Sequence, residues 1–145
     1  MGQVIALDTA VLIYYFEDIS EFADIVETVM LPIVSGQAMG IFASIGIIEL
    51  LVKPKRKGLT ELETLYRSEL ATLPNFYVVN LGETIIDKAA ELRATYGLRT
   101  PDAIHLATAI VSGASLFITN DRRLKKVRGI KVMLLSEMKR GRKSK

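Results

Sequence analysis

The chain has 145 residues, half of them hydrophobic and 24% charged, a composition that builds one globular domain with a full core and excludes a disordered chain. It has no cysteine, which excludes disulfides, zinc–thiolate centres and thiol nucleophiles and fits a reducing compartment. The formal charge of +3 resides in the last seven residues, "KRGRKSK", which hold five of the 19 Lys and Arg; the rest carries 14 basic against 16 acidic side chains, so 139–145 reads as a basic solvated tail on a domain spanning 1–138.

The opening "MGQVIALDTAVLIYYF" lacks a basic leader and is interrupted by Asp8, which makes it a poor signal peptide. The most apolar run, "GIFASIGII", stops at Glu49 and is too short to span a bilayer, so the expectation is a cytoplasmic protein with no membrane partner. Five short apolar runs predict buried strands: "QVIAL", "GIFAS", "FYVVN", "SLFIT" and "KVMLL". Helical stretches lie between them. "TAVLIYYFE" follows the first strand, and "SEFADIVETVMLPIVSG" is expected to end or bend at Pro32. "IGIIELLVKP" and "LTELETLYRSELATL" follow the second strand; "GETIIDKAAELRATYG" closes on Gly97, and "PDAIHLATAIVSG" opens on Pro101 and ends at Gly113. Apolar strands alternating with helices imply a three-layer α/β/α fold with a central parallel sheet of about five strands. In such folds, active groups gather at the carboxyl ends of the strands.

Four acids fall in those places. Asp8 ends the first strand and Asp121 ends "SLFIT"; each also suits a helix N-cap, worth about 1 kcal/mol. Asp102 sits in the first turn of a helix, where the helix dipole favours an anion. Neither Asp102 nor Asp121 has an obvious ion-pair partner beside it on the buried side. Glu49 has no helix-end explanation: its neighbours at turn spacing include Ile45, Ile48 and Val52, so a buried position and a need for a cation, a proton or a route to solvent are expected. If the four converge, repulsion raises some of their pKa values unless a divalent cation neutralises them. An all-oxygen donor set without cysteine selects a hard ion, Mg²⁺ or Mn²⁺, one or two of them, and such ions suit phosphodiester hydrolysis.

The fragments "ALDTAVLIYYFE", "ASIGIIELL", "TPDAIHLATAI" and "LFITND", in that order and spacing, resemble the PIN-domain ribonucleases, above all the small VapC-type toxins of toxin–antitoxin pairs. The resemblance covers nearly the whole chain before the tail. It implies a PIN-like nuclease domain, Mg²⁺- or Mn²⁺-dependent cleavage of RNA, a homodimer, and inhibition by a protein antitoxin lying across the active groove. Carried over, the acidic quartet falls on Asp8, Glu49, Asp102 and Asp121 as catalytic metal ligands. Thr9, Ser44, Thr119 and Asn120 match the polar residues that support the ligands or the scissile phosphate.

His105, one turn after Asp102, reads as a residue that packs or hydrogen-bonds within the domain, and is left out of the site. Two basic clusters adjoin the acids: "KPKRKG", with Lys53, Lys55, Arg56 and Lys57, and "RRLKKVR", with Arg122 and Arg123. Each is weighed evenly between RNA contact and an ordinary solvated face. Tyr14, Tyr15, Phe16 and Phe22 divide between core and an interface in a way the sequence does not reveal. The alternatives are an RNA-processing PIN nuclease without an antitoxin and a non-catalytic RNA- or protein-binding module. A phosphoacceptor receiver domain is disfavoured, because it needs an adjacent acidic pair where "ALDTAV" has Asp8 alone.

Overall fold

The five apolar runs pair into one sheet in the computed structural model, which describes residues 2–18 and 21–138. The strands are β1 (Val4–Leu7), β2 (Met39–Ala43), β3 (Phe76–Val79), β4 (Leu116–Thr119) and β5 (Lys131–Leu134), all parallel, in the order β3-β2-β1-β4-β5. Alternate residues serve opposite faces, as the pleat requires. Ile5, Leu7, Phe42 and Ile118 join one core with α1 (Thr9–Glu17), α2 (Ala23–Val34), α3 (Ile45–Lys57) and α4 (Thr60–Thr72). Ala6, Ile41 and Phe117 join a second with α5 (Glu83–Tyr96) and α6 (Thr100–Val111). The three-layer expectation and all five strands are met. No helix among the described residues is long and apolar enough to cross a membrane. The tail proposed for 139–145 lies outside the described residues.

Pro32 and Pro54 sit inside α2 and α3 instead of ending them. The Pro32 carbonyl accepts from the backbone N–H of both Gln37 and Ala38, and the Pro54 carbonyl from Gly58 and Leu59, so each proline lies within a turn of its helix C-terminus, where little ladder remains to be lost. Gly58 and Gly97 end α3 and α5 in the left-handed conformation that glycine adopts without strain.

The strand order sets the place of the site. From β1 the chain moves outward through β2 to β3, then returns to the other side for β4 and β5. The direction reverses between β1 and β4, a switch point that leaves a crevice at the carboxyl ends of these two strands. Register seals the junction: Leu7 pairs with Ile118, and the Asp8 N–H donates to the Ile118 carbonyl at 2.9 Å, so Asp8 and Thr119 emerge side by side.

α3 approaches this crevice closely because Gly46 has no side chain. A Cβ there would lie 2.3 Å from Phe42 Cζ and 2.9 Å from Thr9 Oγ1, and Phe42 is fully buried. Gly46→Ala is therefore expected to lower stability by about 1–3 kcal/mol through overpacking, despite alanine's better helix propensity. Urea denaturation checks this; a gain in stability would show that the corner is loosely packed.

Candidate active site

Asp8 caps α1, its Oδ1 accepting from the Thr9 N–H at 2.8 Å. Its Oδ2 accepts from the hydroxyl of the buried Thr119 at 2.6 Å. The same Thr119 hydroxyl accepts from the backbone N–H of Asp121 at 3.1 Å, so one buried oxygen orders both strand-end acids. The cap expectation for Asp8 is thus met, and the same carboxylate is tied to the β4 strand end. Asp121 likewise caps the short 3-10 turn Arg122–Lys126 through the Arg123 N–H.

Thr9 performs the corresponding link on the other side. Its hydroxyl donates to Glu49 Oε1 at 2.7 Å and lies 3.3 Å from His105 Nε2, which itself stands 2.7 Å from Glu49 Oε1 and 3.9 Å from Asp8 Oδ1. Asp102, buried at the start of α6, accepts from Arg99 Nε at 3.1 Å. Arg123 forks onto Asp121, with Nε 3.0 Å from Oδ1 and Nη2 2.5 Å from Oδ2, and the same Nη2 stands 3.9 Å from Asp102 Oδ2. All four acids therefore belong to one polar chain running Glu49–Thr9–Asp8–Thr119–Asp121–Arg123–Asp102–Arg99.

Three sequence expectations need correction. Glu49 is not buried: its side chain is 39% exposed, and Ile48 and Val52 beside it are 64% and 41% exposed. A run that reads as apolar all round turns out to have an open face, and Glu49 sits on its edge. Asp102 and Asp121 do have ion-pair partners, Arg99 and Arg123, supplied from three residues before and two after in the chain. Arg123, weighed evenly between RNA contact and a solvated face, is held on the acids. Ser44 and Asn120, expected as supports, make no side-chain hydrogen bond among the described residues, whereas Thr9 and Thr119 do support the acids. The Thr119 hydroxyl gives its proton to Asp8. His105 does hydrogen-bond within the domain, but onto Glu49, which places it inside the cluster.

The other basic residues lie farther out. Lys53 faces Glu17 at 4.0 Å, Lys55 pairs with Glu63 at 3.2 Å, and Arg122 stands 4.0 Å from Glu137. Arg56 and Lys57 are exposed and have no ion-pair partner among the described residues. Arg99, at the mouth of α6, was missed; its spacing of three from Asp102 on a helix was the available signal.

The electrostatics follow from crowding. Burial pushes the Asp8 carboxyl above its ordinary value, and the attractions of His105, Thr119 and Thr9 do not fully offset it. Burial acts the same way on Glu49, but hydrogen bonds from His105 and Thr9 outweigh it and hold that acid low. The Arg123 fork lowers Asp121. Burial favours neutral His105, yet its bond to Glu49 and the charges of Asp8, Glu49 and Asp102 prevail and raise its pKa. The opposing cost is an N–H at Nδ1, an atom buried without a hydrogen-bond partner.

As a donor set, four carboxylates and two hydroxyls fit a hard cation in kind, and Asp8 is an anion whose desolvation is not fully offset by its neighbours. In arrangement they are not gathered around one point: among the described residues no three of the acids and His105 stand together closely enough to hold one ion. Asp102 and Asp121 are turned to their arginines, so cation binding requires Arg123 to yield.

In metal-free protein, the His105 ring should titrate above the ordinary value of about 6.5, and Glu49→Gln should lower that midpoint. Because the folded value is raised, the stability this group contributes is fully present below about pH 6.5 and is lost as pH climbs through the folded value. Proton NMR of the single histidine checks this; a midpoint at or below 6.5 would mean that burial and the unpartnered Nδ1 prevail.

The model of the PIN domain matches residues 5–130, and no curated protein matches the chain. Solved structures share the fold. A toxin–antitoxin complex from Klebsiella pneumoniae aligns at 24% identity and TM-score 0.70, covering 90% of this chain and 97% of the other. VapBC2 from Rickettsia felis, bound to a fragment of promoter DNA, aligns at 15% and 0.71, over 90% and 98%. DNA-bound VapBC from Salmonella typhimurium aligns at 16% and 0.70, over 93% and 99%. With the acids linked by one polar chain at the switch point of a five-stranded parallel sheet and the family match spanning most of its length, the chain belongs to the PIN domain family, a family of nucleases.

Proposed function

We propose that this protein is a divalent-metal-dependent endoribonuclease and the toxin of a type II toxin–antitoxin pair. The observation that carries the nuclease reading is the polar chain joining Asp8, Glu49, Asp102 and Asp121 at one crevice of the sheet. The toxin reading is supported by the fold's likeness to chains of toxin–antitoxin and VapBC assemblies. It brings with it a protein antitoxin and a homodimer as partners. Exposed Leu81 and Ile86, which edge an apolar recess with Ala90 and Ile104, supply surface suited to protein contact.

Asp8, Glu49, Asp102 and Asp121 would hold Mg²⁺ or Mn²⁺, which when bound acidifies water and neutralises charge on the phosphate. The protein's own residues do the rest. Thr119 and the Thr9 N–H fix both oxygens of Asp8, so this carboxylate cannot swing. Burial raises the Asp8 carboxyl above its ordinary value, which suits it to receive a proton from the attacking water. Arg99 and Arg123 have exposed guanidiniums on the rim and can turn from carboxylate to phosphate at little cost, since fork geometry suits both.

Asp8→Asn should leave the fold intact and reduce Mn²⁺-dependent cleavage of a defined RNA panel by more than the about 10–100-fold that outer supports of a metal site cost. Full activity in this variant would refute the assignment. Arg122→Ala should weaken RNA binding across sequences and lower the slope of log affinity against log salt by about 1. An unchanged salt titration would return Arg122 to the solvated surface.

A further inference from the structure

Glu49 differs from the three aspartates in how it is held. Asp8 and Asp121 emerge from strand ends, and Asp102 lies buried in the first turn of α6, so backbone position fixes each of them. Glu49 stands on the exposed edge of α3, on a longer side chain with more rotamers, where solvent would leave it mobile. Its restraint comes from two donors that converge on one oxygen, Thr9 Oγ1 and His105 Nε2, each 2.7 Å from Oε1. Oε2 has no partner among the described residues and is left available.

His105 is built for this one contact. The residue is 3% exposed, and its ring is wedged between Phe42 and Phe117, with centroids 5.9 and 6.5 Å away. Nδ1 finds no hydrogen-bond partner, so every polar contact of the side chain lies at Nε2, facing Glu49, Thr9 and Asp8. A buried polar side chain that leaves one nitrogen unsatisfied is costly, and an apolar residue of similar size would pack there more cheaply. We propose that His105 is a positioning residue: through Nε2, with Thr9 as second donor, it locks Glu49 in the rotamer that leaves Oε2 free, the oxygen that would be offered to a divalent cation. This rests on the reading of the four acids as metal ligands. An N–H at Nε2 is present in the appropriate neutral tautomer as well as in the imidazolium, so the lock needs a donor and not a charge.

The test is calorimetric titration of metal-free protein with Mn²⁺, alongside urea denaturation. His105→Leu removes the donor and keeps the volume; His105→Gln can place an amide N–H near the position of Nε2. The expected result is a loss of about 10–100-fold in Mn²⁺ affinity for the leucine variant, with the glutamine variant within a few-fold of wild type. In a Glu49→Gln background, His105→Leu should cost nothing further. Wild-type affinity in His105→Leu, or equal losses in both His105 variants, would overturn the lock in favour of packing or charge. Should the leucine variant fold poorly, Thr9→Val against Thr9→Ser asks the same question of the second donor, with loss expected only in valine and equal affinity of the two overturning the clamp. If Asp8→Asn and Glu49→Gln both bind Mn²⁺ as wild type does, the metal-site reading itself fails, an outcome distinct from failure of the lock.

Discussion

Four carboxylates drawn to one end of a sheet repel one another, and much of the local structure answers that repulsion. Two buried threonines distribute hydrogen bonds among them, two arginines supply positive charge, a histidine bonds Glu49, and the β1–β4 pairing holds the central pair in place. None of these partners is far from the acids in space, yet they come from three separate segments of chain. Desolvation of Asp8 is the part left uncompensated, and it is the feature that most directly invites a cation.

The arginines give the rim a second character. Held on Asp102 and Asp121, Arg99 and Arg123 order those carboxylates, and Arg123 holds the Asp121 carboxyl below its ordinary value. Any cation entering this site would have to compete with the guanidiniums for the same carboxylate oxygens. A polyanion arriving at the crevice likewise meets arginines already arrayed beside the acids.

Much of this was legible in the chain because it depends on local pattern. Strands buried on both faces must be apolar throughout, so "VIAL", "LFIT" and their fellows stand out, and an acid at the end of such a run is conspicuous. What could not be read depends on which way a side chain turns. Whether Ile48 and Val52 face the core or solvent follows from how α3 rolls on its neighbours, and that roll left Glu49 on an open edge. The arginine partners of Asp102 and Asp121 lie within three residues of them, but a charge run alone does not tell which members fold back. His105 was read correctly as a residue bonded inside the domain; its acceptor, 56 positions away, was invisible.

The corner where Gly46 crosses Phe42 has a wider consequence. Phe42 touches the core through Phe76 and the active site through His105, while the space above it admits only a hydrogen atom on α3. The packing of the core and the placement of His105 therefore draw on the same few atoms, and a change that swells this corner disturbs both at once.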